Sequence, residues 1–281
     1  MKTGMVLEGG AMRGLFTAGV LDIFLDHEIQ VDGILGVSAG AVFGVNYLSK
    51  QRGRVLRYNK RFNQDKDYMG VRPLLRTGDI INREYAYERV PEQLDVFDWK
   101  TFRESGVPFY AGVTNLDTGK PDYFQVKDVA EQMDILRASA SMPFVTKPVQ
   151  IGNGRYLDGG VSDSVPYQKM FEMGYDRLIL VLTRDGNYEK KPLPERLVRM
   201  AYRHYPGFRD DLLYRHEAYN RCMKEIRELE KTGRVFVIRP AVPVEVRKLE
   251  RDPEKLQGVY DLGIAAATER MDALKRWLKE T

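Results

Sequence analysis

The segment Gly36-Val37-Ser38-Ala39-Gly40 constrains this chain more than any other. The apolar run Ile34-Leu35-Gly36-Val37 leads into it, and the small-residue run Ala39-Gly40-Ala41-Val42-Phe43-Gly44 leaves it. An apolar run that meets a glycine-flanked serine and continues into small residues reads as strand, sharp turn and helix. A serine in such a turn is lifted out of the sheet, with its hydroxyl at the N-terminus of the helix. Gly36 and Gly40 suit places where a side chain would collide with the neighbouring strand or helix. The geometry makes Ser38 available as a nucleophile for acyl transfer, although the same pattern also describes an ordinary glycine-rich turn.

Two further segments favour chemistry over a plain turn. Met5-Val6-Leu7 leads into Glu8-Gly9-Gly10-Ala11-Met12-Arg13-Gly14, followed by a helical stripe of Leu15, Phe16, Val20, Leu21, Phe24 and Leu25. Backbone N–H groups in a glycine turn at a helix start point at an anion. In an acyl hydrolase that anion is the oxyanion of the tetrahedral intermediate. The other segment is Tyr156-Leu157-Asp158-Gly159-Gly160, whose Asp-Gly-Gly is in most chains a β-turn. A nucleophilic Ser38 needs a base, and none of His27, His204 and His216 is well placed. His27 ends the first helix among charges, and the other two lie in a basic helical stretch, so Asp158 is the remaining candidate.

With these residues the chain resembles the patatin-like phospholipase family over about residues 3–185. The glycine loop corresponds to residues 8–14, the nucleophile elbow to 36–40 and the Asp-Gly-Gly motif to 158–160. A looser match is Arg137-Ala138-Ser139-Ala140-Ser141-Met142-Pro143-Phe144. The resemblance implies a three-layer α/β/α fold with a mostly parallel central sheet and a helical C-terminal extension. It implies a Ser38–Asp158 dyad and an oxyanion hole drawn from Gly9, Gly10, Ala11 and Ala39. Arg13, with Gly14, would orient the loop or a substrate phosphate, the plain alternative being an ion pair. Gly36, Gly40, Gly159 and Gly160 shape the turns. There are two departures: Glu8 stands where members often carry Asp, and Ala11 replaces the third loop glycine. Neither removes a backbone donor, but alanine is disfavoured if the loop needs positive φ there. The tail, residues 235–281, looks like the extension of bacterial patatin-like proteins.

The 281 residues, 43% apolar, suit one large α/β domain with an appendage; the expected division is a core over 1–185 and a mainly helical extension over 186–281. No apolar run reaches the length of a membrane span, about 18 residues. Glu8 interrupts any signal-peptide apolar region, and Cys222 is the single cysteine, which favours a reducing cytosol. No Cys/His spacing suits zinc and no Asp/Asn loop suits calcium, so neither metal nor cofactor is expected.

Charge is uneven. Residues 190–209 hold Lys190, Lys191, Arg196, Arg199, Arg203 and Arg209 against Glu195, with Tyr202, Tyr205 and Phe208 between them. A solvated helical face is the default reading of such a run. The sharper reading is a peripheral contact with the anionic inner face of a membrane, the aromatics sitting at the interface. Nucleic acid is disfavoured, since no nucleic-acid motif accompanies the run.

Elsewhere, residues 52–108 read as helices and loops that cover the site. Strands are expected over 109–114 and 122–126, paired as a hairpin, and over 177–183 and 235–239. Helices are expected over 128–141 with Asp128 as N-cap, over 165–173, and over 254–279. The sequence thus predicts a serine hydrolase that cleaves carboxylic esters of lipids, of phospholipase A or lysophospholipase type. Three other readings stand beside it. A Ser-Asp-His esterase using His204 or His216 lacks a His-Gly-Gly motif and places its nucleophile too early. A dinucleotide site is broken at Ala11. A weakly catalytic lipid-binding protein on the same fold is opposed by intact Ser38 and Asp158.

Overall fold

The computed structural model describes residues 1–280. At its centre β1 (Thr3–Leu7) runs parallel between β2 (Gly33–Val37) and β7 (Arg177–Val181). Beyond β2 lies β3 (Phe109–Asn115), and beyond β7 lies β8 (Val235–Ile238), both parallel. Three antiparallel strands, β4 (Pro121–Val126), β5 (Val149–Ile151) and β6 (Gly154–Asp158), complete a mixed sheet of eight. Every residue of β1 and β2 is buried, as parallel strands covered on both faces require.

The two faces separate by the period of two along each strand. Met5, Leu7, Ile34, Ile179 and Val181 point into one core layer, which holds α1 (Gly14–Asp26), α2 (Ala39–Leu48), α3 (Arg54–Phe62) and α10 (Pro253–Lys279). Val6, Leu35, Leu178 and Leu180 point into the other, against α7 (Tyr167–Glu172) and α9 (Pro206–Lys231). The result is a three-layer α/β/α fold. The tail takes part in both sheet and layer. β8 is an edge strand, and α10 lies so close to α1 that a β-carbon on Gly263 would strike the Phe16 carbonyl.

One strand junction positions the site. β4 occupies one edge of β3 along Phe109–Thr114, so β2 and β6 share the other. β2 pairs with Phe109 to Gly112, and β6, running the opposite way, takes over at Val113. The two strands therefore meet end to end, and the residues at their C-terminal ends, Ser38 and Asp158, come face to face.

The hairpin over 109–126 and the long C-terminal helix follow the sequence pattern. The helix expected over 128–141 starts later, as α6 (Met133–Ser139), because the Asp128 carboxylate accepts from the N–H groups of Ala130 (2.9 Å) and Glu131 (3.3 Å) and stabilises a turn instead. Residues 52–108 form α3, α4 (Val71–Thr77), a π-helical segment Tyr85–Leu94 around Pro91, and α5 (Trp99–Glu104). In the basic run, α8 (Glu195–Ala201) precedes α9. Tyr202 and Phe208 are buried against Leu116, Leu157 and Val161, so the interfacial role expected for these aromatics does not hold. The apolar positions that the run leaves exposed are Leu193, Leu197 and Met200, the last at 66%. Among the described residues no helix is long and apolar enough to cross a membrane.

Candidate active site

The elbow is strained and held from three sides. Ser38 has φ 56° and ψ −124°, a conformation costing about 1–3 kcal/mol in a residue with a side chain. Its N–H donates to Ser139 Oγ at 2.9 Å, and Ser139 Oγ donates to the Gly112 carbonyl at 2.7 Å, which ties the turn to α6 and β3. A β-carbon on Gly36 would lie 2.6 Å from the Gly40 carbonyl oxygen, and one on Gly40 would run into the Leu7 carbonyl. Only glycine lets α2 leave β2 this close to β1.

Ser38 Oγ donates to Asp158 Oδ2 at 2.7 Å, and both residues are under 10% exposed. The other carboxylate oxygen, Oδ1, accepts from Gly160 N at 2.8 Å, while Asp158 N donates to the Ser141 carbonyl at 2.8 Å. Gly159 packs its α-carbon against the Gly112 carbonyl, where a side chain would not fit. Burial pushes the Asp158 carboxyl above the ordinary aspartate range. The Ser38 hydrogen bond, Arg215, the Gly160 N–H and Lys190 oppose that shift. No histidine hydrogen-bonds to either residue. His27 sits beside Lys275, His204 beside Arg203, and His216 Nδ1 lies 3.0 Å from the Leu213 carbonyl.

The glycine loop runs alongside the nucleophile: a β-carbon on Gly9 would lie 2.7 Å from Ser38 Cβ. Ala11 takes φ 49°, so this chain accepts a left-handed alanine where glycine would be unstrained. The N–H groups of Gly9, Gly10, Ala11 and Ala39 make no hydrogen bond to any other described residue. Gly14 abuts Ala39 and Phe43, which locks the loop to α2. Glu8 anchors the loop's first residue: its carboxylate accepts from Tyr219 Oη (2.8 Å) and Thr183 N (2.6 Å). Arg13 has no ion pair among the described residues, and its Nε is buried without a partner. Burial and the nearby Arg184 lower its pKa.

Two cavities open from Ser38. One, of about 110 Å³, is apolar, lined among others by Val42, Phe43, Tyr58, Val90 and Phe97. The other, of about 480 Å³, is lined by Arg13, Arg184, Lys190, Lys191, Arg215 and Lys248 together with Gly9, Gly10 and Asp158. Ala11, Ser38, Met142, Lys248 and Leu249 border both. The geometry combines a hydroxyl bonded to a buried carboxylate, unpaired backbone donors beside it, and an apolar and a polar compartment either side. Such a site has the parts that acyl transfer uses.

Residues 5–171 match the sequence profile of the patatin-like phospholipase family. The chain belongs to that family. Residues 205–279 match a domain of unknown function, DUF6363. Among curated relatives of this patatin-like chain, an uncharacterized Escherichia coli (strain K12) protein, YjjU, is 30% identical over 186 residues, covering 65% of this chain and 52% of its own. Lysophospholipase NTE1 of Debaryomyces hansenii is 26% identical over 185 residues, covering 64% of this chain and 12% of the yeast protein. Probable lipid hydrolase 463L of Invertebrate iridescent virus 6 is 24% identical over 209 residues, covering 66% and 71%. The chain thus spans about half of the bacterial relative and a small part of the yeast one. The crystal structure of VipD from Legionella pneumophila aligns over 97% of this chain and 67% of VipD with a TM-score of 0.48 at 13% identity.

Sequence reasoning singled out Ser38, Asp158 and the glycine loop. It gave no role to Ser139, Tyr219 or Thr183, whose partners lie more than a hundred residues away along the chain. Nor did it find Lys190, Arg215 and Lys248 as one group, because nothing local in the sequence links them.

Proposed function

We propose that this chain is a serine acyl hydrolase that cleaves carboxylic esters of lipids, of phospholipase A or lysophospholipase type, through Ser38 and Asp158. The observation that carries this reading is the 2.7 Å hydrogen bond from Ser38 Oγ to Asp158 Oδ2 at the junction of an apolar and a polar cavity. Ser38 Oγ attacks the acyl carbonyl carbon while its proton passes to Asp158 Oδ2. The oxyanion that forms accepts from the free N–H groups of Gly10, Ala11 and Ala39. On collapse, the bond to the alcohol oxygen breaks and that oxygen takes the proton from Asp158, leaving an acyl ester on Ser38. Water then attacks the acyl carbon, gives its proton to Asp158, and the fatty acid leaves as Ser38 regains its hydrogen.

The elevated pKa of Asp158 makes it a stronger base than a solvated aspartate. The lipid-hydrolase names of two relatives agree with an apolar acyl cavity at the nucleophile. The test is fatty-acid release from lysophospholipid by wild type and Asp158→Asn. The variant is expected to keep its circular dichroism spectrum and lose about 10²–10⁴-fold in rate. A folded Asp158→Asn protein with wild-type turnover overturns the dyad.

A second reading concerns where the enzyme works. Leu193, Leu197 and Met200 are exposed on and before α8, beside Arg196, Arg199 and Arg203. Apolar and basic groups side by side favour peripheral contact with an anionic membrane face. Leu193 also borders the cationic cavity, so docking there brings lipid to its mouth. Leu197→Ser/Met200→Ser is expected to weaken co-sedimentation with vesicles containing anionic lipid; unchanged sedimentation removes this reading.

A further inference from the structure

The cationic cavity has more positive charge than the fold needs. Arg13, Arg184, Lys190, Lys191, Arg215 and Lys248 line it, while the lining carboxylates are Glu8 and Asp158. Both carboxylates are already engaged: Glu8 by Tyr219 and Thr183, Asp158 by Ser38 and Gly160. Among the described residues none of the six cations makes an ion pair. The buried Nε atoms of Arg13 and Arg215 have no hydrogen-bond partner at all. Lys190 Nζ has only Ser164 Oγ at 3.5 Å and the face of Tyr219 at 3.9 Å. Arg184 lies over the Tyr188 ring at 3.9 Å. Desolvation, with repulsion from the neighbouring arginines, lowers the pKa of half-buried Lys190 and of Lys248 at the more exposed mouth, a cost that a bound anion removes.

The position of this charge specifies the anion. Lys248 borders both cavities, so the positive wall begins at Ser38, where the scissile ester must sit. An acyl chain in the apolar cavity then places the alcohol side of the ester among the cations. Several guanidinium and ammonium groups converging from different elements suit a tetrahedral oxyanion with several acceptors, that is, a phosphate. A quaternary ammonium would find no free carboxylate there, and the Tyr188 and Tyr219 rings that could hold it by cation–π contact are already covered by Arg184 and Lys190. Among the described residues one apolar cavity borders Ser38, which suits a substrate with one acyl chain.

We propose, building on the hydrolase reading above, that the cationic cavity selects a single-chain lysophospholipid whose headgroup is a phosphate without an ammonium, a phosphomonoester of the lysophosphatidate type. Five of the six cations, Arg184, Lys190, Lys191, Arg215 and Lys248, lie outside the family match over 5–171, and two, Arg215 and Lys248, fall in the 205–279 domain of unknown function. Headgroup selection is therefore a role for the C-terminal part of this chain.

The test uses full-length Ser38→Ala protein, which cannot turn over, titrated calorimetrically below the micelle concentration with ether-linked lysophosphatidate, ether-linked lysophosphatidylcholine and inorganic phosphate. Lysophosphatidate is expected to bind at least about tenfold tighter than either of the others, the factor that one charge-assisted contact supplies. Lys190→Gln/Lys248→Gln in the same background is expected to erase the preference, and Lys190→Arg/Lys248→Arg to keep it, with circular dichroism reporting the fold of both. Equal affinity for the two lipids overturns the proposal, as does phosphate alone binding as tightly as the lipid, which makes the cavity a free-phosphate site. Because binding is read without turnover, a preference in a protein that hydrolyses nothing counts against the hydrolase reading alone. Hydrolysis in wild type with no preference counts against the headgroup assignment alone.

Discussion

The two cavities that meet at Ser38 are built in opposite ways. The apolar one draws mainly on α2, α3 and the π-helical segment, elements close in sequence that pack by ordinary hydrophobic periodicity. The cationic one gathers Arg13, Arg184, Lys190, Lys191, Arg215 and Lys248, and among the described residues none of them makes an ion pair. A wall made of core residues stabilises the fold by being there. A wall of unpaired, partly buried like charges costs stability, so it reports on what the cavity binds.

Variants can break this contrast, beginning where both cavities depend on one atom. Ser38→Ala is expected to remove hydrolysis of long-chain, short-chain and anionic esters alike, by about 10²-fold or more on each. A loss confined to one substrate class separates Ser38 from the chemistry. On the apolar side, Val42→Phe fills space one helical turn beyond the nucleophile. The ratio of kcat/KM for p-nitrophenyl dodecanoate over butyrate is expected to fall about tenfold, the order that a few methylenes are worth. An unchanged ratio places the acyl chain elsewhere.

The next variant probes the seam between the elbow and α6. Ser139→Ala leaves the Ser38 N–H without its acceptor in a buried site, and thermal or denaturant unfolding is expected to show a loss of about 1–3 kcal/mol. Full stability in this variant means that the turn is held by its glycines alone.

The smallest effect concerns pH and ties the two walls together. Asp158 must be ionised to act as base, so kcat/KM falls as pH drops through its pKa, which burial places above the ordinary aspartate value. Arg215 favours the ionised form. In Arg215→Gln the acid limb is therefore expected to move to higher pH. A limb that stays put means that the cationic wall does not reach the dyad electrostatically.

What could be read from the sequence follows the same divide. The elbow, the glycine loop and the Asp158 turn each lie within a few residues, so local pattern exposes them. That Ser38 and Asp158 face each other depends on β6 continuing the edge that β2 leaves on β3, a long-range pairing that strand periodicity does not carry. Tyr202 and Phe208 looked interfacial because charge surrounds them in sequence, yet their rings pack on Leu116, Leu157 and Val161. The helix expected over 128–141 is half that length, Met133–Ser139, because the Asp128 carboxylate holds the first residues in a turn and the helix ends at Ser139. Ala11 kept the left-handed geometry that its side chain disfavours, which the residue type alone does not announce.

The most direct measurement is intact-mass analysis of wild type, Ser38→Ala and Asp158→Asn after treatment with a fluorophosphonate, alongside fatty-acid release from lysophospholipid. A single adduct on wild type, absent from both folded variants together with their activity, is the predicted result. An adduct that persists in Ser38→Ala, or a folded wild type that neither labels nor hydrolyses, contradicts the Ser38–Asp158 account.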